Sequence, residues 1–213
     1  MDTPTLPPEI FEKQMGILHA RWRPIPLMEM VERLEKGQPL DRRAAVVTFD
    51  DGTEDTFTHA FPILEKYQIP ATVFVIAGNI GQAGCLQPDQ IGKMRKGGIE
   101  IGSHTLHHAY LPSLTAEQVR EQLAGSRQKL EALGGTVKSL SYPAGGFTRQ
   151  VIEEARRAGY QAACTTNRGF QRFPVDRWAL RRITVHSSVR STGSLWIRCC
   201  GYYGLNRRLR PPA

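Results

Sequence analysis

Asp50 and Asp51 are adjacent acids that follow an apolar, β-branched run at residues 44–49 and precede Gly52. Neighbouring side chains on an extended chain point apart, so the two carboxylates can do different work. One can ligate a metal while the other faces a reacting water. Gly52 permits the turn that brings both to the strand end. Taken alone, Asp-Asp-Gly is an ordinary acidic turn. A second cluster, Gly102-Ser103-His104-Thr105-Leu106-His107-His108, also follows a short apolar stretch. His104 and His108 are four apart, which on a helical turn puts both imidazoles on one face. Two imidazoles and a carboxylate make a three-ligand site with positions left for water, as catalytic zinc requires. His107 is out of phase with that pair and is not expected to ligate. Three of the six histidines fall within these five positions, which a merely polar loop does not explain.

Two further segments lie at the ends of apolar runs. Residues 140–147, Leu-Ser-Tyr-Pro-Ala-Gly-Gly-Phe, have the small side chains that let backbone approach a ligand, and a free N–H there can help hold an oxyanion. His186 closes the run 180–185, where a hydrogen-bonded structural histidine and a catalytic one are both reasonable.

The elements that must position these groups alternate. Helical patterns cover residues 8–20, 27–36, 56–67 (kinked at Pro62), 88–96, 115–133 and 148–158. Apolar strands are expected at 44–49, 71–77, 99–102, 139–142, 160–165 and 180–185. Thr115 with Gln118 forms a capping box and Gly134-Gly135 ends that helix. Such alternation implies parallel β with helices outside, either as a barrel or as an open doubly wound sheet. In both, catalytic groups sit past the C-terminal ends of strands, where all four clusters fall. The residues alone therefore indicate a metal-assisted hydrolase with an aspartate base.

Composition bounds the rest. The 213 residues suit one domain, spanning 1–213. The start has neither a basic nor an apolar leader region, no run of 18 apolar residues occurs, and Cys85, Cys164, Cys199 and Cys200 form no CxxC pair. A cytoplasmic protein with reduced cysteines is expected. Nine arginines against the single acid Asp176 give residues 171–213 the whole net charge of +8. No nucleic-acid-binding pattern accompanies them, so a solvated basic end is preferred and no nucleic-acid partner is expected. Residues 195–205 are expected to form a short C-terminal helix packed on the domain. Trp196, Tyr202 and Tyr203 beside basic residues leave a weak interfacial membrane contact as the alternative.

Thr48–Gly52 (TFDDG), His104–His108 (HTxxH) and Tyr142–Gly146 (YPAGG), in that order, resemble the motifs of the polysaccharide deacetylase family, the NodB-homology group or carbohydrate esterase family four. The likeness runs from about Pro8 to Leu205. It implies a deformed (β/α) barrel of about seven strands. Asp50 would be the catalytic base, and Asp51, His104 and His108 would hold a divalent metal, commonly zinc. Tyr142 and Ala144 would line the substrate, with the N–H near Ala144 joining in oxyanion stabilisation. Substrates would be N-acetylated carbohydrates. Three departures accompany the likeness. Ser141 stands where many members have the arginine that pairs with the base. The late Leu-x-His motif is matched only loosely by Ile183–His186. The chain also begins at a helix, after the family's first strand with its Tyr-His pair, so the barrel would lack that strand. Related sequences often show Leu-Pro-Arg-Ile at 180–183. Arg182 is accordingly expected to reach the site and pair with Asp50 in place of the missing arginine, leaving His186 as general acid; the alternative is a surface arginine among the others. A hydrolase of a small non-sugar C–N bond, and a carbohydrate-binding relative without activity, are the competing functions.

Overall fold

A computed structural model describes residues 6–168 and 175–185. Helix α1 (Pro8–Arg21) leads into a two-residue strand β1 (Arg23–Pro24), then α2 (Leu27–Glu35). β2 (Ala44–Ala45) pairs in parallel with β1 and continues after Val46 as β3 (Val47–Phe49). From there strand and helix alternate: α3 (Phe61–Lys66), β4 (Ala71–Val75), α4 (Pro88–Lys96), β5 (Glu100–Ser103), α5 (Ala116–Glu131), β6 (Ser139–Ser141), α6 (Arg149–Arg157), β7 (Ala162–Arg168) and β8 (Leu180–Arg182).

The main sheet decides between the two architectures the sequence allows. Its six strands run β3-β4-β5-β6-β7-β8, all parallel, each beside its predecessor. A doubly wound sheet needs a reversal of strand order. Right-handed crossovers that always advance the same way put α3 to α6 on one face, and the sheet curls into a half-barrel. Counting β1 and the interrupted β2–β3 as one strand each, seven strand positions are filled.

Strand pleating sorts the side chains into two cores. Ala71, Val73 and Val75 of β4 face outward onto the helices, with Leu64, Ile91, Met94, Leu123 and Leu130. Phe74, Ala162, Cys164 and Leu180 face inward and meet Leu27, Met28 and Val31 of α2. Gly102 on β5 is paired with Phe74, and a Cβ there would lie 2.4 Å from the Phe74 ring, so this glycine makes room for the ring. Burying such a phenylalanine contributes roughly 2–3 kcal/mol.

Local chemistry explains the helix ends. Thr115 and Gln118 form the expected capping box on α5. The helical stretch at 56–67 is less regular than its pattern implies. Thr56–Ala60 is a single wide π-turn and the regular α-helix begins at Phe61, so the helix widens just before Pro62, whose ring and missing N–H a regular turn would not accommodate. Among the described residues no helix is long and apolar enough to cross a membrane. His186 and the expected helix at 195–205 lie outside the described residues.

Glu100 seats α2. Its carboxylate accepts from Thr72 Oγ1 at 2.8 Å and from the Met28 N–H at 3.4 Å, at the N-terminus of a helix whose own N-cap, Pro26, offers no side-chain acceptor. Burial raises the Glu100 pKa from its ordinary 4.5, and these bonds and Lys138 only partly oppose it. A raised folded-state pKa means the native state binds the proton more tightly, so this group's stability contribution is full below pH 4.5. It is lost as pH rises through the folded value. Glu100→Gln should therefore flatten the fall in urea midpoint over the weakly acidic range and leave the protein at least as stable at pH 7. Parallel wild-type and variant curves would contradict this.

Candidate active site

The chain turns sharply where β3 ends. Asp51 and Gly52 both adopt a left-handed φ of 71°. Gly52 has a second constraint, because a Cβ there would lie 2.9 Å from the Val75 side chain. Asp50 is sent toward the interior and Asp51 toward the mouth, where its side chain is 46% exposed.

His104 starts the loop after β5. Its N–H donates to the Val75 carbonyl at 2.8 Å, and its buried Nδ1 lies 2.7 Å from the Ser141 carbonyl oxygen. A carbonyl only accepts, so Nδ1 carries the hydrogen and Nε2 keeps its lone pair. Burial also lowers the His104 pKa, against the opposing pull of Asp50 and Asp51. Its Nε2 is 3.4 Å from Asp51 Oδ1, and His108 Nε2 is 3.7 Å from the same oxygen. One ligand atom from each of Asp51, His104 and His108 lies within 4.8 Å of the others. One carboxylate and two imidazoles, one of them fixed in tautomer from behind, fit a divalent cation. The expected helical turn is absent. The segment is a run of turns, and the imidazoles converge because Thr105 and His108 take left-handed φ of 66° and 55°. His107 lies against Gly78, apart from this cluster.

Arg182 reaches Asp50. Its Nη1 donates to Oδ1 at 2.8 Å and its Nη2 to Oδ2 at 2.7 Å, a two-pronged pair. Nη2 also donates to Ser141 Oγ at 2.9 Å, Nη1 to Thr48 Oγ1 at 3.3 Å, and Nε to the Thr165 carbonyl at 3.2 Å. Burial by itself would raise the Asp50 pKa; Arg182, with His104 and Ser141, outweighs it and holds the carboxyl below its ordinary 3.8. Ser141, a departure in sequence, is thus a working neighbour of the pair. Together with Cys164 it leaves the barrel interior open for the guanidinium. The signal that identifies it is the small side chain at the strand end facing an arginine two strands away.

Tyr142 requires correction. Its side chain is fully buried and stacks on Phe147 with ring centroids 5.0 Å apart, and its N–H donates to the Cys164 carbonyl at 3.0 Å. Tyr142 thus belongs to the strand expected at 139–142: the ladder uses its amide and its ring packs into the outer core, so neither faces the site. Ala144, in contrast, is exposed with a left-handed φ of 52°.

Parallel strands with a clustered Asp-His-His set and a paired aspartate at their C-terminal mouth place the chain among barrel proteins that carry their chemistry there. The sequence pattern of the family described as polysaccharide deacetylase matches residues 37–163, and the chain belongs to that family. It is 31% identical to the Bacillus subtilis strain 168 protein YxkH over 182 residues, covering 84% of this chain and 65% of YxkH. It is also 31% identical over 118 residues to the peptidoglycan-N-acetylmuramic acid deacetylase PdaA of the same organism, covering 54% of this chain and 43% of PdaA. The chain therefore spans less than two thirds of either relative. The Streptococcus pyogenes deacetylase PplD in complex with acetate shares the fold, with a TM-score of 0.87 over 93% of this chain and 89% of that one at 24% identity.

Removing one partner of a buried ion pair strands the other charge, at a cost of about 3 kcal/mol. Arg182→Met should lower unfolding stability by about that amount, and adding Asp50→Asn should restore a good part of it. Urea titration of the four proteins measures this; additive losses would show that the two residues do not depend on each other.

Proposed function

We propose that the protein removes N-acetyl groups from a carbohydrate polymer by metal-assisted hydrolysis, with Asp50 as general base. The observation that supports this most directly is the side-by-side arrangement of a three-ligand cluster and a carboxylate kept ionised by Arg182.

Asp51, His104 and His108 would hold the cation, and a nitrogen-rich set of three favours zinc. When bound, the ion supplies Lewis acidity toward the acetyl carbonyl and toward water. Asp50 has no ligand duty. It takes the proton from the water that attacks the acetyl carbon. Arg182 engages both Asp50 oxygens, fixing the plane of the carboxylate and keeping it charged at neutral pH. The remaining lone pairs point to the reacting water. The oxyanion needs a donor. In the turn at 142–146, the amides of Tyr142, Gly145 and Gly146 already donate to backbone carbonyls, and Pro143 has none. Ala144, exposed and left-handed, is the amide this turn can give. His186 would protonate the leaving nitrogen, so that amide plus water yields acetate and a free amine.

The mouth favours a polymer over a small enclosed substrate. Asp51 and His108 side chains are 46% and 47% exposed, so an acetyl group on a chain passing over the surface can reach them. PdaA, by name, acts on a peptidoglycan sugar, and that supports a polymer substrate here.

Asp50→Asn should cut acetate release from N-acetylated glycans by roughly a thousandfold or more while leaving bound zinc near one equivalent. Asp51→Asn and His104→Gln should lose both metal and activity. Metal analysis and acetate assays on the same preparations check this. If Asp50→Asn retains most of the activity, it is not the base; if Asp51→Asn retains its zinc, the ligand set is wrong.

A further inference from the structure

Tyr110 stands two residues after the ligand His108 and is 52% exposed. Val185 is the other large apolar side chain left exposed among the described residues. Singly exposed tyrosines are common. Three observations separate this one. Its backbone is fixed, because the Tyr110 carbonyl accepts from the Ser113 N–H at 3.1 Å and from Ser113 Oγ at 2.8 Å. Its ring is fixed as well, against the loop after β6. A Cβ on Gly146 would lie 2.3 Å from Tyr110 Cε2 and 2.9 Å from Cζ. Gly146 itself has an ordinary φ of −80°, so the chain does not need glycine there; the tyrosine ring does. The ring therefore spans the two loops that carry His108 and Ala144, with its edge seated on one and much of its surface left to solvent.

From this juxtaposition we infer that Tyr110 is a stacking platform for a hexopyranose ring adjoining the one that carries the reacting acetyl group. The inference deepens the proposed polymer substrate and rests on it. An equatorially substituted pyranose presents axial C–H groups on its faces, and these pack on an aromatic ring whose electron-rich face attracts them. A ring already held in place loses little freedom when the sugar lands, so the contact goes into binding. Among the described residues no hydrogen bond or ring contact joins the Tyr110 side chain to Asp50, Asp51, His104 or His108, so it sets which substrates are held and leaves the chemical step alone.

The test uses β-linked N-acetylglucosamine pentamers together with 4-nitrophenyl acetate, which reports the chemistry without a sugar. Tyr110→Ala should lower kcat/KM for the pentamer about tenfold, chiefly through KM, and leave ester hydrolysis unchanged. Tyr110→Phe and Tyr110→Trp should stay within about threefold of wild type, because they keep the face. Calorimetric binding of the pentamer to Asp50→Asn should weaken about tenfold when Tyr110→Ala is added. An unchanged pentamer KM in Tyr110→Ala overturns the inference while the deacetylase reading stands. An equal loss on pentamer and ester also overturns it, since Tyr110 would then be structural. Binding that depends on Tyr110 in a protein that releases no acetate supports the platform and rejects the deacetylase.

Discussion

The Arg182–Asp50 pair holds the two edges of the sheet in one site. β3 and β8 are the end strands of the six-stranded sheet, with no ladder between them among the described residues. Arg182 on β8 bonds Thr48 and Asp50 at the β3 end, Ser141 on β6 and the Thr165 carbonyl on β7. One side chain thus ties the mouth of the half-barrel together. Only arginine suits this position, since its planar fork satisfies both carboxylate oxygens and still has donors for three more acceptors. As a source of stability a buried ion pair is a poor choice, because apolar residues of equal volume cost less to desolvate. The pair makes sense as a means of keeping one carboxylate charged and oriented in a place where burial alone would raise its pKa.

Steric room for that arginine accounts for a run of small residues. Ser141 and Cys164 line the path from β8 to Asp50, and Gly102 lets Phe74 lie beneath, with the Arg182 guanidinium 5.8 Å above its ring. A second arginine at position 141 would bring two cations to one carboxylate. Serine at 141 and arginine at 182 are consequently one feature: each is intelligible only with the other. Position 141 still serves the histidine cluster, since its carbonyl fixes the His104 tautomer whatever its side chain.

Strand ends were legible from the sequence because a fully buried parallel strand is a run of apolar residues that stops where polar function begins. The strand-end positions of residues 50–51, 104–108 and 142–146 follow from that rule. So do the α5 capping box and the glycine-terminated helices, which depend on nearest-neighbour chemistry. Strand order is different. It depends on which crossover packs beside which, and six similar apolar runs do not encode it. The convergence of His104 and His108 was expected for the wrong physical reason. A spacing of four fits a helical turn, but here non-glycine residues in the left-handed region turn the chain instead, a state that side-chain identity does not announce. Tyr142, at the end of the strand expected at 139–142, turns its ring into the outer core, which a motif does not show.

Those left-handed residues also show where the fold stores strain. Among the described residues, five non-glycine residues have positive φ; Asp51, Thr105, His108 and Ala144 lie in the candidate site and Gln68 lies elsewhere. Each costs about 1–3 kcal/mol and persists only where surrounding contacts fix it. For the loops of Asp51 and Thr105, β4 and the chain just after it supply those contacts. The strand is buried along its whole length between β3 and β5. The Val75 carbonyl accepts from His104, the Ile76 amide donates to the Asp51 carbonyl, the Ala77 amide to Thr105 and the Gly78 amide to Leu106. A strand with no reactive residue of its own therefore sets the separation of the two ligand loops. A shift of β4 by one residue would reverse its inward and outward side chains and break all four bonds. Both cores oppose that shift, since Phe74 fills the interior while Val73 and Val75 hold the helices. The spacing of the Asp51–His104–His108 cluster at the mouth is thus determined by how a neighbouring apolar strand packs.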